Sequence, residues 1–275
     1  RLVHECVAAS RNQSGRDLQL IGSLWALIWN GYREARRNRV TVVVAAFALV
    51  LLFSTQLAME VTVMTFDRVN TDVGLGSMSL MLVFLAIFLS SALVPREIER
   101  RTIFMVVSKP ISRGLYLVGR LGGNMLTLAI LTAVMSLVFA AELTVLRSPV
   151  TQPIIAAIVA LYFELLILSC LGFFFSSFSG QTVAAVVVSG LFFAGHLSGD
   201  IYRHAMRSTV PFIQGLGKAV YYVLPNLDRL DLKVQAAYAS PVAWSELGAS
   251  IAYALAYSTA LMVGTVVIFE RRDFR

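Results

Sequence analysis

Few side chains in this sequence are placed to do chemistry. Glu164 stands near the middle of the apolar run 154–175, where an ionisable group is costly unless it faces protein or water. It reads either as a substrate or gating contact or as a structural hydrogen bond. His196 ends another apolar run. Glu60, Glu142 and Asp200 hold similar positions, which suit interfacial polar residues or the lining of an exit path. Glu164 and His196 are the candidates for a substrate path, and an intramembrane enzyme would have to use the same two residues. No recognisable catalytic spacing accompanies them. His4, His196 and His204 are scattered, so no metal cluster is expected. Gly215-Leu-Gly-Lys218 is followed by Ala219 and lacks the upstream glycine that a phosphate-cradling loop needs. The chain therefore reads as no enzyme, with no cofactor of its own.

The other chemically dense stretch is a charged one. Arg96, Glu97, Glu99, Arg100 and Arg101 alternate in sign, as on a solvated helix surface. Thr102, Ile103, Phe104, Met105, Val106 and Val107 then form an apolar patch. Lys109-Pro110 stops the helix, and Ser112 can cap the next one. Charge, apolar patch and proline stop together fit a short coupling helix pressed into a soluble partner. The plainer reading is a charged loop that only sets topology.

These residues must be held by elements of a membrane protein. The 275 residues are 57% hydrophobic and 14% charged, with a mean hydropathy of +0.75. Soluble domains carry about 25% charged residues. Six apolar runs predict six helical spans: 40–59, 78–94, 121–146 (its helix starting nearer Leu115), 154–175, 182–197 and 247–269. Pro153 suits the first turn of the fourth. The fifth is short for a bilayer. Ile21, Leu24, Trp25, Ile28, Trp29 and Tyr32 recur at helical spacing before the first span, with Arg33, Arg36, Arg37 and Arg39 behind them. This predicts an interfacial helix over 20–39, with tryptophans at headgroup level.

The net charge of +7 does not imply nucleic acid, because the basic residues cluster at span ends. With both termini inside, the inner segments hold 16 of the 23 Lys and Arg residues. Cys6 and Cys170 fall in a tail and a span, placed for no disulfide. The first twenty residues are too polar for a signal peptide. The loop 199–246 contains an apolar stretch, 211–224, that predicts either a re-entrant or interfacial segment or a helix packed outside on the spans; 225–231 reads as a turn. Ala156, Ala160 and Glu164 share a helix face. Gly248, Ala252, Ala256, Ala260 and Gly264 recur every four residues in the last span, which predicts close packing within the chain.

Glu97-Ile-Glu-Arg-Arg-Thr-Ile103 with Ser108-Lys-Pro-Ile-Ser-Arg113 resembles the loop between spans two and three of ABC-2 type permeases. Tyr222-Val-Leu-Pro-Asn-Leu-Asp228 and Phe269-Glu-Arg-Arg-Asp-Phe274 are similar to later stretches of the same family. The resemblance covers essentially the whole chain, apart from Arg1–Gln19, and is strongest to the branch with separate permease and ATPase polypeptides, which includes the permease of nitrous oxide reductase maturation. It implies a single all-α permease domain over 1–275, with spans one to five in 40–198, an extracytoplasmic insertion at 199–246 and span six at 247–270. It also implies a bacterial or archaeal cytoplasmic membrane, a second permease chain, and an ABC ATPase subunit carrying ATP and Mg. Arg96, Glu97, Glu99, Arg100, Arg101, Thr102 and Phe104 would dock that ATPase, with the turn 176–181 as a second contact. The implied function is export driven by ATP hydrolysis. The alternative is a mechanical relay acting on an extracytoplasmic partner through 199–246.

Overall fold

The computed structural model describes residues 40–61, 66–99, 113–208 and 210–271. The elements among them are helical: α1 Val40–Val61, α2 Phe66–Glu99, α3 Arg113–Val145, α4 Gln152–Ser176, α5 Gln181–Arg207, α6 Pro211–Val223, a 3-10 turn Asp228–Leu230, α7 Lys233–Ala237 and α8 Trp244–Arg271. Five of them (α2, α3, α4, α5 and α8) are long and apolar enough to cross a membrane. The chain is thus an α-helical, multi-pass membrane protein. The first expected span coincides with α1, 22 residues long, whose side chains are described from Ala45 to Thr55. The expected interfacial helix over 20–39 and the residues Arg100, Arg101, Thr102 and Phe104 lie outside the described residues.

Several helices overrun the apolar runs that announce them. The 34 residues of α2 and 33 of α3 rise about 50 Å each, against about 30 Å of hydrocarbon. The polar residues in the added turns of α2 are met by neighbouring helices. Asn70 and Thr71 are buried, and Ser148 Oγ donates to the Asp67 carboxylate. Thr55 Oγ1 lies 3.4 Å from Asn70 Oδ1 and also bonds the Glu142 carboxylate, so Glu142 joins α3 to α1. At its other end α2 runs through Pro95 to Glu99, so Arg96, Glu97 and Glu99 belong to its last turns. The short α5 of the sequence pattern becomes 27 residues, since nothing breaks the helix before Ser208; Asp200 and Arg203 pair on its exposed side one turn apart.

α4 is the central helix. It is apolar on every side, as suits a helix that is mostly buried, and α2, α3, α5, α7 and α8 all pack on it. Proline stands in its first turn, as its sequence predicts. Ala156, Ala160 and Glu164 are all buried, in agreement with their expected shared contact face.

The small-residue series of α8 behaves otherwise. Gly248, Ala252, Ala256 and Ala260 are exposed and Gly264 is half-buried, while Leu247, Ala254, Ser258, Met262 and Thr265 face the bundle. The expected packing of that series within the chain is therefore incorrect for its first four members and holds only at Gly264, where a Cβ would stand 3.2 Å from the Phe174 ring. Spacing finds a face, but the side that α8 turns to the bundle is the neighbouring one, where Leu247 and Met262 alternate with the small residues Ala254, Ser258 and Thr265.

Within the insertion, α6 folds back along α5 as a helical hairpin. Tyr202 meets Tyr221 at 4.7 Å between ring centroids. Three residues further along α5, Ala205 Cβ would lie 2.2 Å from a Cβ on Gly217, so the two helices run antiparallel. Of the two readings for 211–224, a helix packed on a span is the one observed at this contact. It is the following segment that enters the bundle.

Candidate functional site

Residues 225–242 leave α6 and thread between α2, α4, α5 and α8. Leu227 and Leu230 are fully enclosed, and Ala236 and Val242 are buried too. Three backbone contacts hold this course. The Leu227 amide donates to the Gly195 carbonyl at 3.3 Å, and the Asn226 amide donates to Tyr253 Oη at 2.8 Å. Gln152 grips Val242 through both ends of its amide, Nε2 to the carbonyl at 2.9 Å and Oε1 from the N–H at 3.3 Å. Gly195 is required because a Cβ there would stand 2.7 Å from the Pro225 carbonyl oxygen. Along α4 the segment reaches from Gln152 to Glu164, twelve residues or about 18 Å of helix.

That descent builds a polar cluster from four parts of the chain. Glu164, the midpoint of α4, is 1% exposed, and its Oε1 faces His196 Nε2 of α5 at 3.5 Å. The same Nε2 lies 3.8 Å from Asp231 Oδ2. The other Asp231 oxygen is 3.3 Å from Lys233 Nζ and accepts the Lys233 backbone N–H at 3.3 Å, which fixes the carboxylate at the start of α7. Lys233 Nζ also reaches Ser79 Oγ of α2 at 3.2 Å. His196 Nδ1 lies 3.1 Å from the Phe192 carbonyl oxygen, and the Phe192 ring packs against the imidazole at 4.6 Å between centroids, tilted by 60°. A small cavity of about 10 Å³, lined among others by Ser79, Glu164, Asp231 and Lys233, is about the size of one water.

The two candidate path residues, 32 positions apart in sequence, thus meet. His196 is no isolated polar residue at a span end. Asp231, Lys233 and Ser79 are partners that sequence reasoning missed, because 225–231 reads as a turn. The available signal was Leu227, Leu230 and Leu232, too apolar and too closely spaced for a solvated turn. The cluster is poorly suited to a metal: the carboxylates converge on an imidazole nitrogen instead of an empty point, and Lys233 adds positive charge. Among the described residues no group of His, Cys, Asp and Glu is arranged to hold a metal ion.

At the opposite end of α5, an open groove of about 260 Å³ runs between α2 and α5, lined by Phe88, Gln181, Thr182, Ala185, Val186 and Ser189. Of the docking candidates, Arg96, Glu97 and Glu99 are carried on α2, away from the buried cluster on the same helix. No protein-family model matches this sequence, and no curated protein matches it.

Proposed function

We propose that the chain is the permease subunit of an ABC-2 type transporter, one of two permease chains driven from the cytoplasm by separate ATPase subunits. ATP and Mg bind in those partners, and this chain supplies the path. The observation that carries the reading is the course of α2. One unbroken helix carries Ser79, bonded to Lys233 in the buried cluster, and continues to Glu99, inside the segment that resembles an ATPase-facing loop. From Ser79 to Glu99 the helix rises about 30 Å. A push on residues 96–107 would be transmitted along that rod to the cluster.

In this reading α1 is a sixth span, both termini are cytoplasmic, and the membrane is the bacterial or archaeal cytoplasmic one. The segment 225–242 is the re-entrant part of an extracytoplasmic insertion. The transported molecule is apolar or amphiphilic. Supporting this, the described spans carry no ring of charges, and the groove between α2 and α5 joins an apolar wall to three polar side chains. A second reading, a mechanical relay, is favoured by one specific observation: the insertion is bonded to α2 itself, so movement of α2 would also drive the α5–α6 hairpin and any partner resting on it.

Combined charge reversal, Glu99→Lys with Arg100→Glu, tests the docking. In proteoliposomes with the ATPase captured by the unaltered chain, the variant is expected to insert normally but to lose stimulation of ATP hydrolysis. Unchanged stimulation would remove residues 96–107 from the docking surface.

A further inference from the structure

We infer that Glu164 and His196 form a proton-binding site, in which one proton is held between the Glu164 carboxyl and His196 Nε2 and is exchanged with the outside through Asp231. The argument begins with the Phe192 carbonyl oxygen, 3.1 Å from His196 Nδ1. A carbonyl only accepts, so Nδ1 carries a hydrogen and donates it. In the neutral ring Nε2 is then a lone pair. That lone pair is aimed at two further acceptors, Glu164 Oε1 at 3.5 Å and Asp231 Oδ2 at 3.8 Å. Among the described residues, neither Glu164 Oε1 nor His196 Nε2 has another hydrogen-bond partner. Three acceptors facing one another without a hydrogen repel, whereas a single proton turns the arrangement into a donor flanked by acceptors.

Charge balance gives the same count. Lys233 offsets Asp231, which it meets at 3.3 Å. Glu164 and His196 are then left to balance each other, and a buried site favours the neutral total. With one proton the pair is neutral, as carboxylic acid and imidazole or as carboxylate and imidazolium. Without it, a carboxylate that is 1% exposed faces a lone pair. Charges on the surrounding elements are engaged elsewhere. Asp228 lies beside Gly199 and acts on Arg203, Arg229 lies over the Tyr253 ring, and Tyr253 accepts the Asn226 amide. From α2, among the described residues, the neutral Ser79 is the polar group that reaches the cluster.

Exposure falls along the three groups, from 24% at Asp231 and 21% at His196 to 1% at Glu164. A proton taken from water by Asp231 passes to Nε2, the Asp231 O–H breaking as the N–H forms. The N–H then breaks as an O–H forms on Glu164. Release runs the same bonds backwards. The proton therefore fastens the insertion to α4 and α5, and its loss sets the two against each other. This holds whether or not an ATPase docks at residues 96–107, so either claim can fail alone.

Nitrogen-15 NMR of the histidine-labelled full chain in micelles tests it, with the His196 resonance assigned by its loss in His196→Gln. Glu164→Gln is expected to weaken proton binding at His196 by about tenfold or more. Asp231→Asn, a change at the more exposed edge, shifts it in the same direction and serves if Glu164→Gln does not fold. His204, whose Nδ1 contacts the Asp200 carbonyl on the exposed side of α5, should titrate unchanged. A His196 titration that is the same in the unaltered chain and in the variants that fold would overturn the site.

Discussion

Lys233 is the residue on which the buried cluster balances. Its ammonium holds Asp231 Oδ1 and Ser79 Oγ at once, and it is the cation nearest to an otherwise acidic pair. Removing one partner of a buried charged contact costs more than the contact itself contributes, because the other is left unpaired. Lys233→Met is expected to destabilise the chain by about 1–3 kcal/mol, read as a lower unfolding midpoint in detergent. Lys233→Met with Asp231→Asn should recover part of that loss, since the residue left behind is no longer a bare carboxylate. A double variant no more stable than the single one would show that the Lys233–Asp231 contact is not what matters. At this scale the sequence was half legible. Glu164 and His196 stand out because ionisable groups inside apolar runs are conspicuous. Asp231, Lys233 and Ser79 do not, since a lysine two residues from an aspartate looks like any solvated turn until Leu227 and Leu230 are seen to be enclosed.

Among the elements, apolar runs located the helices and missed how far they extend. The runs at 78–94 and 182–197 become Phe66–Glu99 and Gln181–Arg207, because helix formation continues past the membrane wherever tertiary partners meet the polar side chains. Asn70 and Asp67 find theirs on α1 and in the link after α3, contacts that local pattern does not encode. Two substitutions separate a tertiary requirement from a spacing motif. Gly195→Val should displace the Pro225–Leu227 segment, since even a Cβ would stand 2.7 Å from the Pro225 oxygen. A lower unfolding midpoint and loss of the His196–Asp231 proximity in crosslinking are expected. Ala256→Leu, on the exposed face of α8, should leave the midpoint of the isolated chain within about 0.5 kcal/mol of the original. A large loss from Ala256→Leu would restore the intrachain packing that small-residue spacing alone predicts. Normal stability of Gly195→Val would mean that the insertion does not depend on this close approach.

For the whole molecule, the described residues form a bundle around a mostly buried α4, with an insertion bonded to its centre and one long helix running from that centre to the start of a charged segment. Such a layout suits a device moved from one end. The central claim is that the mover is an ATPase bound to residues 96–107. The most direct measurement is capture of the tagged chain from its native membrane in mild detergent, followed by an assay of vanadate-sensitive ATP hydrolysis in the eluate. The account predicts that an ATPase subunit co-elutes, and that both the protein and the activity are lost with Glu99→Lys and Arg100→Glu. A chain that elutes alone, with no nucleotide hydrolysis, would contradict it.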